Sequence, residues 1–215
     1  MKNDALFQLA ALGALACLLT GSGCRTSPAR FFVLTPTAAS ETSARPSAPY
    51  PPAPSCGIGP ISIPDYMDRA QIATRTSANE VRLAEFDRWA GSPRENVERV
   101  LAENLSALLP SDQVSVVTWR RGGSLQYRIA IEVSRFDVQL GKQVLLNATW
   151  TVFGADGTTA LLARESSIHE PVNGGDYAAA VAAMSQALGD LSREVAEGFK
   201  TVLPEKGGAM HGGRR

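Results

Sequence analysis

The chain has 215 residues, with 21 basic and 21 acidic side chains, and 44% of its residues are hydrophobic. This length suits one domain with appended segments, and the hydrophobic fraction is typical of a globular protein. The balanced charge gives no support for a nucleic-acid partner, since phosphates require a basic surface.

Residues 1–23 have the pattern of a lipoprotein signal peptide. Lys2 supplies a positive end, and residues 6–19 form an apolar run that is short for a membrane span. Small residues then precede Cys24, which we predict to carry the lipid, including a palmitate-type acyl chain. Gly21 stands where such signals usually have leucine, so an ordinary cleaved secretion signal is the alternative. Arg25 after the cysteine favours the outer membrane over the inner one, with the domain in the periplasm.

The cysteine count agrees with a lipoprotein. Cys17 would be removed with the signal, and lipidation of Cys24 would leave Cys56 alone. An internal disulfide in the mature chain is then excluded. We expect Cys56 to be a small, partly buried residue at the start of a strand.

Two segments of contrasting composition follow the cysteine. Residues 30–36 are apolar and aromatic, which favours a strand, with insertion into the membrane headgroup region as the alternative. Residues 35–54 contain six of the thirteen prolines. Such a segment cannot bury enough apolar surface to order itself, so we interpret it as a surface excursion.

The stretch from residue 58 to residue 89 alternates short β-prone runs with turn signals. Asp65 and Asp68 flank Tyr66 and suit a turn, because short carboxylates bond nearby backbone amides. Asn79 is a suitable hairpin position. Strands are predicted at residues 58–63, 72–76 and 81–84.

This stretch resembles the signature of the paraquat-inducible protein C family. The similarity lies in residues 62–72, SIPDYMDRAQI, and residues 83–90, LAEFDRWA. Weaker similarity extends it over roughly residues 29–203. The resemblance implies an auxiliary lipoprotein of an ABC-type, MCE-linked lipid transport system in a Gram-negative envelope, with an MCE-type periplasmic or inner-membrane subunit as partner.

The remaining chain predicts two helices and a β-meander. Ser92, Pro93 and Glu95 form a helix-start pattern for residues 92–109. Apolar residues recur every three or four positions from Tyr177 to Val202, which predicts an amphipathic helix. Its small residues also allow an oligomeric seam. Strands are predicted at residues 114–119, 127–133, 144–152 and 159–166.

These elements predict an α+β domain. We expect two layers, with an antiparallel or mixed sheet of about five to seven strands and both helices on one face. The domain would span residues 24–203, and residues 204–215 would form a disordered tail.

The chemistry-bearing residues do not form a recognisable catalytic or metal motif. His169 beside Glu170 could act as a general base, but no nucleophile motif accompanies it. His169 and His211 alone cannot assemble a histidine-rich metal site. We therefore predict no enzyme activity, no metal and no cofactor.

Four residues are candidates for docking a protein partner: Tyr66, Arg69, Arg88 and Trp89. Aromatic side chains beside arginines often anchor interfaces, and loops lie at the surface. A purely structural role is the alternative for Trp89 and for the turn. A docking or scaffold subunit is the first functional hypothesis, and a lipid carrier with an apolar cavity is the second.

Overall fold

The computed structural model describes residues 27–37, 55–109, 114–116 and 125–203. Eight strands and two helices lie in this part of the chain. The strands are β1 (Arg30–Phe32), β2 (Cys56–Ser62), β3 (Gln71–Ser77), β4 (Glu80–Trp89), β5 (Val114–Val116), β6 (Tyr127–Gln139), β7 (Gln143–Phe153) and β8 (Ala160–Pro171). The helices are α1 (Pro93–Leu108) and α2 (Tyr177–Val202).

The strands form two mixed sheets where a single sheet was expected. The smaller sheet has the order β1-β4-β3, and the larger has the order β5-β2-β6-β7-β8. β1 runs parallel to β4, and β2 runs parallel to both β5 and β6, whereas the other pairs are antiparallel. The α+β class is confirmed. Helix α1 contacts α2, β5 and β2, and α2 contacts β6, β7 and β8. The placement of both helices on one face stays a prediction.

The predicted hairpin of β6 and β7 is confirmed, with β8 as its third strand. Ile129, Ile131 and Val133 are buried on β6, and their neighbours on β7 are Val152, Trp150 and Ala148. The pairing shifts between Val133 and Arg135, which places a bulge in β6. Beyond it Phe136, Asp137 and Val138 are all buried.

Helix α1 begins where the sequence predicts. The Ser92 side chain accepts a hydrogen bond from the Glu95 N–H at 3.3 Å, and Pro93 occupies the first turn. Asn104 is a polar residue of this helix that is fully buried. Its side-chain oxygen accepts from the Thr37 N–H at 3.0 Å. A polar side chain at this position therefore holds the segment that follows β1.

Two glycines of α2 allow other parts of the domain to approach the helix closely. A methyl group at Gly198 would overlap the buried Trp150 ring, and one at Gly189 would overlap Thr37. Trp150 also donates from Nε1 to the Ser166 hydroxyl at 3.0 Å. Ser166 in turn donates to the Glu194 carboxylate at 2.5 Å. Helix α2 thus lies close to the sheet because glycine leaves room for the indole.

Removal of the α1 cap should weaken the domain. Ser92→Ala leaves the Glu95 N–H without its side-chain acceptor, which costs about 0.5–2 kcal/mol at an N-cap. Urea unfolding should show a lower midpoint at unchanged slope. Ser106→Ala, within the same helix, is the control and should leave the midpoint unchanged or slightly raised, because alanine favours the helix interior. Equal midpoints for Ser92→Ala and the wild type would contradict the cap.

Gly198→Ala should destabilise the protein although alanine favours a helix. The propensity gain is about 1 kcal/mol, but the methyl group meets a rigid, buried indole, and overpacking costs about 1–3 kcal/mol. Thermal and urea unfolding measure the net change. Glu197→Ala, at an exposed neighbouring position, is the control. A stabilised Gly198→Ala protein would show that the helix does not approach Trp150 this closely.

Candidate functional site

The turn after β2 points Tyr66 toward the larger sheet. Its backbone is closed by hydrogen bonds from the Met67 N–H to the Pro64 carbonyl at 3.0 Å and from the Asp68 N–H to the Asp65 carbonyl at 3.2 Å. The Tyr66 hydroxyl accepts from the Phe136 N–H at 3.1 Å. Tyr66 is half-buried, so it ties the turn to the bulged part of β6.

A buried carboxylate, Asp137, lies beside this tyrosine. Arg75 of β3 donates to both of its oxygens, from Nε at 2.5 Å and from Nη2 at 3.1 Å. Arg135 donates to the same carboxylate from Nε at 2.5 Å. The Arg75 guanidinium also lies 6.0 Å from the centre of the Tyr66 ring. We call Tyr66, Arg75, Arg135 and Asp137 the inter-sheet cluster, because Arg75 belongs to the smaller sheet and Asp137 to the larger.

The electrostatics of this cluster favour the charged form of Asp137. Burial raises the pKa of the carboxyl, but hydrogen bonds from Arg75, Arg135 and Tyr66 outweigh it, so the pKa lies below its usual value. Burial raises the pKa of the Tyr66 hydroxyl. Two arginines around one carboxylate form an ion-pair network between strands. This arrangement indicates a structural role for the cluster.

The structure separates the four candidate docking residues. Trp89 is only 5% exposed and lies in the core. Its backbone N–H donates to the Ala70 carbonyl at 2.8 Å. Trp89 therefore offers little surface to a partner, and Tyr66 is engaged in the inter-sheet cluster. Arg69 and Arg88 are exposed. They form no ion pair with the described residues.

The segment after β1 crosses both helices. The Leu34 carbonyl accepts from Arg99 of α1 at 2.6 Å, and the Thr35 N–H donates to the Ser185 hydroxyl of α2 at 3.1 Å. Ser185 is one of the small residues of α2 that would also allow an oligomeric seam, but it is buried beneath the crossing segment. The sequence signal for this crossing was Ser185 and Gly189, one turn apart on α2. Small side chains at this spacing let another segment of backbone pack against a helix.

His169 and Glu170 do not form an acid–base pair with each other. They are successive residues of β8 and so point to opposite sides of the strand. His169 is exposed, whereas Glu170 hydrogen-bonds Asp190 of α2. That bond, with partial burial and the charge of Asp190, raises the pKa of Glu170 to about 7. Among the described residues, no group of three or more histidine, cysteine, aspartate or glutamate side chains could hold a metal ion.

Cys56 and the predicted segments at the two ends have different outcomes. Cys56 is fully buried, which raises the pKa of its thiol to about 12 and makes it an unreactive core residue. The signal peptide, Cys24, most of the proline-rich excursion and the tail from residue 204 lie outside the described residues. In the described part of the chain, no helix is both long enough and apolar enough to span a bilayer.

A cleft of about 290 Å³ opens between the β3–β4 hairpin, the β6–β7 turn and the start of α2. Most of its lining is polar or cationic: Thr74, Arg75, Thr76, Arg82, Gln139, Leu140, Lys142 and Tyr177. This cleft is partly open and has one aliphatic side chain in its lining, Leu140, unlike the enclosed pockets that usually hold a lipid chain.

The comparisons with known proteins give the family. A model described as the ABC-type transport auxiliary lipoprotein component matches residues 32–196. The chain belongs to this family. Membership associates it with an ABC-type transport system and with the cell envelope.

Solved structures show the same fold at low sequence identity. A crystal structure of an uncharacterized protein has a TM-score of 0.64 and 17% identity, and the match covers 80% of this chain and 99% of the other. Protein XCC0632 from Xanthomonas campestris, of the DUF330 family, has a TM-score of 0.62 and 18% identity over 80% and 95% of the two chains. These likenesses concern the fold alone. A search of curated proteins found no match.

The raised pKa of Glu170 beside Asp190 should make stability depend on pH. Folding raises the pKa of Glu170. The contribution of this residue to the free energy of unfolding is therefore fully present below about pH 4.5 and is lost as the pH rises through about 7. Glu170→Gln keeps a hydrogen-bond donor without the charge. This variant should therefore melt above the wild type at pH 8.5 and close to it at pH 5.

Two controls separate this effect from other titrations. Glu165→Gln removes an exposed carboxylate from the same strand, and His169→Gln removes the neighbouring histidine. Neither should abolish the difference in melting temperature between pH 5 and pH 8.5. A Glu170→Gln protein with the same pH dependence as the wild type would contradict the raised pKa of Glu170.

Proposed function

We propose that this protein is a lipid-anchored docking subunit of an MCE-type intermembrane lipid transport system, of the paraquat-inducible protein C kind. The family match to an auxiliary lipoprotein component of ABC-type transport carries the proposal. The specific MCE assignment comes from the resemblance in residues 62–72 and 83–90. The proposed partner is an MCE-type transporter subunit, and the proposed anchor is a diacylated Cys24 in the outer membrane.

The inside of the domain favours docking over lipid carriage. Its core is filled by side chains from both sheets and both helices, including Ile58, Leu101, Trp150 and Phe199, each at most 1% exposed. A carrier needs an apolar cavity of several hundred Å³ to enclose an acyl chain. The polar cleft beside Arg75 and Arg82 does not supply one. A catalytic role has no such support, and absence of enzyme activity stays a prediction, as does homo-oligomerisation.

The partner surface is proposed to include Arg69. It is the exposed cation of the turn whose sequence carries the resemblance, and it makes no ion pair with the described residues. The neighbouring Asp68 is instead paired with Arg94 at 3.0 Å. Exposed arginines without an internal partner are suited to pairing across an interface.

Co-purification of the intact lipoprotein from membranes tests this function. The tagged wild-type chain should recover an MCE subunit, and mass spectrometry of its amino terminus should show a diacylated Cys24. Arg69→Glu should reduce recovery of the partner while the melting temperature stays normal. Arg164→Glu, at an exposed position on β8, is the matched control and should recover the partner fully.

Other outcomes would count against the proposal. Tyr66→Ala should lower the melting temperature because Tyr66 belongs to the inter-sheet cluster, so loss of partner in that variant alone would not show docking. Full recovery with Arg69→Glu would move the interface elsewhere. Failure of the wild type to recover any MCE subunit would overturn the MCE assignment. An unmodified Cys24 would overturn the proposed anchor.

A further inference from the structure

Strand β1 and the residue that follows it turn two large apolar side chains outward. Phe31 is 64% exposed and Val33 is 48% exposed. The alternate residues point inward: Leu34 is 1% exposed, and Phe32 packs against the core. In a strand with one exposed side, alternation favours apolar side chains toward the core and polar side chains toward solvent. Here apolar side chains lie on both sides.

These two side chains belong to an ordered part of the domain. Phe31 pairs in register with Arg88 of β4, and the Phe32 carbonyl accepts from the Ala90 N–H at 2.9 Å. Arg30 donates to the buried Asp87 carboxylate at 2.6 Å. Phe31 and Val33 are thus held outward by a strand that is fixed on both sides of them.

The chain length before β1 limits where this face can be. Phe31 lies seven residues after Cys24, and a fully extended chain spans at most about 3.3–3.6 Å per residue. The ring therefore lies within about 25 Å of a lipid attached to Cys24. A tether this short keeps the β1 edge of the domain beside the membrane surface.

We propose that the exposed side of β1 lies on the membrane that holds the anchor, with Phe31 and Val33 at the boundary between headgroups and acyl chains. This proposal rests on lipidation of Cys24. Aromatic and aliphatic side chains are stabilised at that depth. Arg88, exposed beside Phe31, suits the phosphate groups just above it. Arg88 is thereby assigned to lipid rather than to the protein partner, and Arg69 remains for the partner.

The chain permits a direct test with a single labelled thiol. In the mature lipoprotein Cys24 is acylated and Cys56 is fully buried. Phe31→Cys therefore adds the one reactive thiol to the part of the chain that the structure describes. This variant, labelled with NBD, is reconstituted into vesicles of phosphatidylethanolamine and phosphatidylglycerol without any partner protein. Leu161→Cys, 45% exposed on the other sheet, is the matched control.

The proposal predicts opposite quenching patterns for the two positions. The label at residue 31 should be quenched several-fold more by lipids that carry a shallow doxyl group than the label at residue 161. Aqueous iodide should quench it several-fold less. Equal quenching at the two positions would overturn the proposal, and protection at residue 31 that appears only after an MCE subunit is added would assign this face to a protein.

Failure of the proposed function can be distinguished in the same samples. Mass spectrometry of the reconstituted protein reports whether Cys24 is acylated, and only acylated samples enter the comparison. Because no transporter subunit is present, loss of the MCE assignment would leave the expected quenching unchanged. Acylated samples with a water-exposed label would overturn the membrane contact while leaving the anchor intact.

Discussion

The two sheets of this domain meet at one buried carboxylate, that of Asp137. Arg75 reaches it from the smaller sheet with two hydrogen bonds, and Arg135 reaches it from the same strand. An isolated buried charge is expensive, so the carboxylate favours only those arrangements in which both arginines are present. Apolar side chains in place of such networks are often equally stable. We therefore infer that this network acts by fixing one relative placement of the sheets. The turn that carries Tyr66 depends on the same placement, since its hydroxyl bonds the neighbouring Phe136 N–H.

Close approach is the second constraint, and glycine provides it at two points of α2. At Gly198 the helix comes near enough to Trp150 for the indole to occupy the place of a side chain. At Gly189 the helix admits the segment that follows β1. An alanine at either site would favour the isolated helix by about 1 kcal/mol. Packing against distant residues therefore decides these positions, and local propensity does not.

The sequence predicts those features whose causes are local. The Ser92 cap and the Glu95 N–H that donates to it lie within four residues of each other, and the β6–β7 hairpin follows from consecutive alternation. Arg75, the partner of Asp137 from the other sheet, lies 62 residues away on β3. No local pattern in the sequence identifies this pair. For the same reason Tyr66 and Trp89 could be recognised as important but not divided into core and surface. The parallel pairing of β1 with β4 joins segments separated by the proline-rich excursion, and a three-residue strand carries too little pattern to predict it.

The way in which β1 enters the domain has a consequence for a lipid-anchored protein. A lipoprotein on a long flexible linker can rotate freely above its membrane. Here Arg30, the first residue of β1, is close to Cys24 in sequence and pairs with a buried aspartate. The chain then passes over α1 and α2, with backbone groups bonded to Arg99, Asn104 and Ser185. With the proposed membrane contact of β1, this short and bonded connection would restrict the orientation of the domain. A docking subunit would then present its proposed partner surface in one direction and lose less entropy on association.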